Sequence, residues 1–374
     1  MGPLPEAVEL AGYQGVAQKT APNEIQRADF FEPVEDLKKR FSKLINCSDH
    51  ERIAIIPSVS YGMANAVRNV KASPGQNIVL VEEIFPSNYY PWKRLADEAG
   101  CELRIVPAPV GTAGRGAFWN EKLLEAIDGK TAAAALPHAH WADGTLFDLE
   151  AIRQKTREVG ALLVIDGTQS VGAYPFDLEK IQPDALICAG YKWLLGPYGT
   201  GLAYYGEQFD GGIPIEENWI NRLNSEHFEA LVNYQPAYKP KAHRYCVGES
   251  SQFIAVPMLL ASIGLLLEWG VENIRDYCRE ISGIALEELK RMGCRVEDES
   301  WRCGHLFGIR FPEGVDLQQL SKEVAARKVF VSFRGNAMRV SPHVYNDGAD
   351  LAKLTEAISA VVSPAKVVSF ARTS

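Results

Sequence analysis

Residues 161–170, ALLVIDGTQS, and 184–201, DALICAGYKWLLGPYGTG, decide the fold of this chain. Each opens with an apolar run of strand length; the first run ends in Asp166 and the second leads into Tyr191-Lys192. Outward from them, ERIAIIPS (51–58), GQNIVLVEE (75–83), CELRIVPA (101–108), TAAAALPH (131–138) and GTGLAYYG (199–206) read as further strands. MANAVRNVKA (63–72), YPWKRLADEAG (90–100), NEKLLEAIDG (120–129) and LEAIRQKTREVG (149–160) have helical spacing between them, several closed by a C-terminal glycine. Such alternation predicts an α/β fold with a mostly parallel seven-stranded sheet, whose strand ends point at a ligand.

At 374 residues the chain exceeds the size at which one core usually splits. A large domain is expected over 20–252, with a small α+β domain built from 1–19 and 253–374. FIAVPMLLASIGLLLEWG (253–270) is the most apolar segment, but Pro257, Ser262 and Glu268 interrupt it. A membrane span needs about 20 clean residues, so a buried interdomain helix is expected. A charged helix follows (271–293), then the runs CRVED (294–298), HLFGIRFPE (305–313), VFVSFRG (329–335) and AMRVSP (337–342), with helical DLQQLSKEVAARK (316–328) among them. The net charge of −8 argues against nucleic acid or an anionic membrane as partner. Seven cysteines without a CxxC pair suit free thiols in a cytoplasmic protein, and the N-terminus shows no signal-peptide pattern.

Asp166, Gln169 and Lys192 at neighbouring strand ends suit the aldehyde cofactor pyridoxal phosphate. The carboxylate holds the ring nitrogen protonated, the amide bonds the ring hydroxyl, and the lysine forms an imine. The pattern resembles the class V aminotransferase branch of the fold type I pyridoxal-phosphate enzymes, which also holds cysteine desulfurases, kynureninase and isopenicillin N epimerase-like proteins. The resemblance implies an enzyme acting on a small amino-acid substrate as a homodimer with shared active sites. It leaves the reaction open between transamination and a lyase or epimerase reaction without net amino transfer.

Further site residues follow from the resemblance. SVSYG (58–62) matches the phosphate-binding turn, with Ser60 and the backbone of Val59 as donors; a plain serine N-cap at Ser58 or Ser60 is the alternative. Tyr191 matches a phenol donor to phosphate in kynureninase-like members. IFPSNYYPW (84–92) places Phe85 where a ring stacks on the cofactor and where desulfurases carry histidine; phenylalanine can sandwich the ring but cannot carry a proton. Trp141 occupies a position where desulfurases have asparagine. His138 and His140 lack a third ligand at a persuasive spacing, so no metal is expected. Arg339, in an Arg-x-Ser pattern, matches the arginine that forks onto the substrate carboxylate, with Arg334 as competitor. The cysteine-bearing loop that desulfurases place before that arginine is absent, since Gly335, Asn336, Ala337 and Met338 alone intervene. RYCVGESSQF (244–253) resembles the segment that reaches the neighbouring subunit's phosphate; Glu249 stands where desulfurases have threonine, which leaves Ser250 and Ser251 as donors.

Overall fold

The computed structural model describes residues 2–111, 114–335 and 337–362. All seven apolar runs of the larger sheet are strands: β1 Ile53–Ile56, β2 Asn77–Val81, β3 Glu102–Val106, β4 Thr131–Pro137, β5 Leu162–Asp166, β6 Ala185–Ala189 and β7 Gly201–Tyr205. Their order is β1-β7-β6-β5-β4-β2-β3; β7 runs antiparallel to both neighbours and the remaining pairs are parallel. Strands buried on both faces carry unbroken apolar side chains, as β1, β2, β4 and β6 do over nearly their whole length.

The helices are α1 Glu6–Thr20, α2 Glu32–Leu44, α3 Val59–Arg68, α4 Pro86–Ala99, α5 Arg115–Ala126, α6 Leu149–Val159, α7 Leu178–Ile181, α8 Ala255–Trp269, α9 Val271–Arg291, α10 Leu317–Ala326 and α11 Gly348–Ser359. Their ends are set by local chemistry. Asp148 caps α6 by accepting from Ala151 N–H, and Gly160 closes it in the left-handed region at φ +74°. The apolar 253–270 run becomes α8, which buries Val256, Leu259, Ile263 and Leu266 in the core of the large sheet. Among the described residues no single helix is long and apolar enough to cross a membrane. Helix α1 lies so close to the start of α8 that a Cβ on Gly15 would come within 2.3 Å of the Phe253 carbonyl oxygen.

A second, antiparallel sheet has the order β8-β10-β9, with β8 Phe307–Arg310, β9 Ser332–Arg334 and β10 Ala337–Val340. One of its faces packs Ile309, Met338 and Val340 against Leu286, Leu289, Leu320, Leu354 and Ile358 from α9, α10 and α11. The CRVED run does not become a strand: Arg295 forms an isolated bridge with Arg310. Strands β9 and β10 pair as far as Arg334↔Ala337, so two residues turn the hairpin. Gly335 supplies the positive φ, +54°, that such a turn requires; Asn336 lies outside the described residues.

The two sheets are joined at Asp143, in the loop after β4. Its buried carboxylate takes Arg115 Nη1 at 2.8 Å and Arg310 Nη2 at 2.6 Å, and accepts from Thr145 Oγ1 at 2.8 Å. Burial opposes ionisation here, but His140 and the two guanidiniums outweigh it and hold the carboxyl well below its ordinary pKa. Removing the carboxylate leaves two guanidiniums without their counter-ion. Asp143→Ala is therefore expected to cost about 3–5 kcal/mol, measured by urea unfolding; a loss near zero would show that the junction does not depend on this charge.

Candidate active site

The carboxyl end of β5 delivers Asp166 with both oxygens engaged: Oδ2 accepts from Asn88 Nδ2 at 2.6 Å and Oδ1 from the Thr168 N–H at 2.9 Å. These bonds come from α4 and from the turn after β5, so the carboxylate has one orientation. Gln169, one step along that turn, accepts from Trp193 Nε1 through its Oε1 at 3.0 Å, and its main-chain oxygen lies 2.7 Å from His305 Nε2. The Trp193 and His305 rings meet edge to face at 4.4 Å. With its oxygen taken, Gln169 has its amide N–H groups left as donors.

Lys192 follows β6 inside a loop closed by Gly190 N–H to Thr200 O and Gly196 N–H to Gly190 O. Its Nζ lies 5.3 Å from the Phe85 ring centroid and 5.8 Å from that of Tyr191, and has no hydrogen-bond partner among the described residues. Burial lowers its pKa; Asp166 partly opposes this and Arg339 adds to it. Tyr191 packs against Tyr198 with ring centroids 4.6 Å apart and the rings tilted by 48°, and burial raises its pKa, so its hydroxyl remains a donor.

The third part of the site is the amino end of α3. Ser58 is the N-cap, accepting from Tyr61 N–H at 3.2 Å, which resolves the choice between the two serines: Ser60 lies inside the first turn and donates to Ser87 Oγ at 3.0 Å. The first N–H groups of a helix have no partner within it and attract anions.

These elements enclose a cavity of about 160 Å³ lined by Val59, Ser60, Phe85, Trp141, Asp166, Gln169, Tyr191 and Lys192, all expected from the sequence. Ser87, Thr168, Tyr198 and Thr200 also line it and were not foreseen. Trp141 donates from Nε1 to the Glu83 carbonyl at 2.6 Å and meets Phe85 edge to face at 5.5 Å. Arg339 stands behind it, donating from Nη1 to the Trp141 carbonyl at 2.9 Å. Ser250 and Ser251 do not line the cavity of their own chain; Ser250 is buried in a turn closed by its N–H to Val247 O. No cysteine lines it either. His138 packs on Tyr174 and Phe176 while His140 packs on Trp119, so the two rings part company. A larger groove of about 830 Å³, lined by His138, Phe176 and Trp301, contains none of Lys192, Asp166 and Gln169.

The donor set fits pyridoxal phosphate: an unpartnered, half-buried amine for the aldehyde, a fixed carboxylate for the ring nitrogen, an amide donor for the ring oxygen, and a helix amino end for the phosphate. Fold and site thus define an enzyme of the pyridoxal-phosphate fold type I class. Residues 23–354 match the family model of aminotransferase class-V, and the chain belongs to that family. It is 26% identical over 331 residues to "Uncharacterized aminotransferase YcbU" of Bacillus subtilis (strain 168), covering 88% of this chain and 84% of that one. A cysteine desulfurase of Shigella sonnei (strain Ss046) is 31% identical over 263 residues, 69% of this chain and 62% of the relative. Among solved structures, the cystine C–S lyase C-DES with its product cysteine persulfide superposes with a TM-score of 0.82 at 18% identity, over 96% of this chain and 95% of that one. The Escherichia coli cysteine desulfurase CsdA gives 0.80 at 18% identity, over 96% and 91%. At such identities the likeness to the structures is one of fold.

The cluster beneath Gln169 makes stability sensitive to acid. Burial lowers the pKa of His138 and His343 to about 4 and that of His305 to about 3. The unfolded chain protonates these rings near pH 6.5, whereas the folded chain excludes the proton until about pH 4. Unfolding therefore takes up protons between these values, and stability falls as pH drops through that window. The urea midpoint should decline steeply from pH 7 to 5, with a shallower slope in His343→Gln; a flat profile would contradict the buried neutral state.

Proposed function

We propose that this enzyme is an aminotransferase that removes the α-proton of an amino-acid substrate with Lys192 as its catalytic base. The observation that carries this reading is the half-buried, unpartnered Nζ of Lys192, whose lowered pKa favours a neutral amine, in a cavity whose lining holds no histidine or cysteine. A bound pyridoxal phosphate supplies an electrophilic aldehyde and a ring that takes up the electron pair released at the α-carbon. Asp166 pairs with the ring nitrogen, Gln169 donates to the ring oxygen, and Phe85 and Trp141 wall the ring. Val59, Ser60 and Tyr191 bind the phosphate. Arg339 holds the substrate α-carboxylate in a two-bond fork, and Lys192 Nζ accepts and returns the proton.

Epimerisation needs a second base facing the first, and Phe85, the ring beside Lys192, cannot take a proton. Persulfide formation needs a thiol, and the two-residue β9–β10 turn leaves no room for a loop to bring one. Both points favour amino transfer over the epimerase and desulfurase chemistries of relatives. The cofactor-loaded protein should release a keto acid from its best amino acid and pass the nitrogen to a keto-acid acceptor. Borohydride should fix the cofactor at Lys192, and Lys192→Ala should lose roughly 10²–10⁴-fold in rate while keeping its fold. Ammonia or sulfide released without an acceptor would replace this reading by a lyase, and label on another lysine would overturn the site itself.

The site is proposed to be completed in a homodimer, with Ser250 and Ser251 donating to the partner's phosphate. An open groove of about 640 Å³ beside the phosphate end, lined by Ser60, Ser87, Tyr90 and Arg94, supports a second copy covering it. Exposed Tyr90 and Ile215 at its rim support burial against a protein surface. A cytoplasmic setting is proposed from the free cysteines. Light scattering at micromolar concentration should give twice the 41.3 kDa chain mass; a fully active monomer would rule out the shared site.

A further inference from the structure

The ladder of the small sheet aligns three arginines. Arg334 pairs with Ala337, Ala337 with Arg310, and Arg339 lies two residues beyond Ala337 on the same strand. Residues paired across a sheet, and residues two apart along a strand, share a face. Arg310, Arg334 and Arg339 therefore share the face opposite that of Ile309, Phe333 and Met338, and turn toward the loop that carries Trp141 and Asp143. Arg310 is answered by the Asp143 carboxylate. Among the described residues no carboxylate pairs with Arg334 or Arg339.

Each of these two guanidiniums is half-buried and has a buried Nε without a hydrogen-bond partner. Their contacts are with main-chain oxygens and a ring: Arg334 Nη1 to Phe333 O at 2.8 Å, Arg339 Nη1 to Trp141 O at 2.9 Å, and the Arg334 guanidinium 5.5 Å from the Trp141 ring centroid. Trp141 lines the cavity of Lys192, and both cations lie against Trp141 without themselves lining that cavity; the Arg339 charge is still felt at Lys192. The Glu83 carboxylate comes near the hairpin turn at Gly335 without pairing with Arg334. A guanidinium does not shed its proton to escape burial, so two unpaired neighbours call for anions. Burial lowers the pKa of Arg339, and the neighbouring Arg334 charge adds to that lowering. One carboxylate occupies one fork and leaves the other arginine unanswered.

We propose that the substrate is an amino acid with a second carboxylate on its side chain, the α-carboxylate held by Arg339 and the side-chain carboxylate by Arg334. This rests on the reading of Lys192 and Arg339 above and names the substrate class of that site. The matched pairs glutamate with glutamine and aspartate with asparagine differ by one charge at nearly constant shape. At least one acid should be preferred over its amide by about 10²-fold or more in kcat/KM, in keeping with a charge-assisted fork worth up to about 3 kcal/mol. Arg334→Gln should raise KM for the acid by a similar factor with kcat nearly kept and the amide little changed; Arg334→Lys should recover part of the loss. Calorimetric titration of the cofactor-loaded protein with succinate and glutarate, against butyrate, reads the same contact without turnover. Tighter dicarboxylate binding that disappears in Arg334→Gln supports the proposal even if no amino acid is transaminated, an outcome that would sink the aminotransferase reading alone. Equal use of acid and amide, equal binding of mono- and dicarboxylates, or an Arg334→Gln defect that is the same for both members of a pair would overturn it.

Discussion

One buried carboxylate organises the molecule. Asp143 is shared between a helix of the large sheet's layer, through Arg115, and the small sheet, through Arg310. Bringing such ions out of water costs several kcal/mol each, which only close pairing offsets, so the three groups hold one arrangement. Trp141 lies two residues away and inherits it. The aromatic wall of the cavity, its link to Glu83 and its contact with Arg339 all depend on where this charge settles.

The remainder of the site is a product of chain direction. In a sheet of mostly parallel strands every crossover returns the chain to the same starting edge, so the carboxyl ends gather at the other. Ser60 after β1, Phe85 after β2, Trp141 after β4, Asp166 at the end of β5 and Lys192 after β6 arrive there from distant parts of the sequence. The reversed strand β7 adds Thr200 at the same edge through its amino end. The connections after β1 and β2 are short, whereas those after β4, β5 and β6 are longer and are held by hydrogen bonds such as Gly190 N–H to Thr200 O.

Most of this was legible because it is written in local pattern. Each strand of the large sheet is a short apolar run with polar punctuation, and Asp166 and Lys192 close such runs. Other features have no local signal. The bond from Asn88 to Asp166 spans 78 positions, and the salt bridge from Asp143 to Arg310 spans 167; an Asp-Gly pair in a loop reads as an ordinary turn. Thr168 and Thr200 are small polar residues in connecting segments and Ser87 is one in the first turn of α4, indistinguishable in sequence from any others. CRVED fails as a strand because it meets its neighbour at one bridge, a tertiary fact. His138 and His140 stand two apart in sequence, but the strand ends at Pro137 and their rings pack on different neighbours.

The hairpin that carries Arg334 and Arg339 works as a fixed gauge. Its two-residue turn and paired rungs set the spacing of whatever reads an anion there, and side chains alone cannot lengthen it. A slip of one rung would send both arginines into the apolar core and turn Phe333 and Met338 toward Trp141, an exchange that the α9, α10 and α11 layer would resist. Descendants of this chain that change ligand length would therefore do so at cavity-lining side chains away from the hairpin, at Phe85 or Tyr198, where single substitutions alter reach without disturbing the ladder.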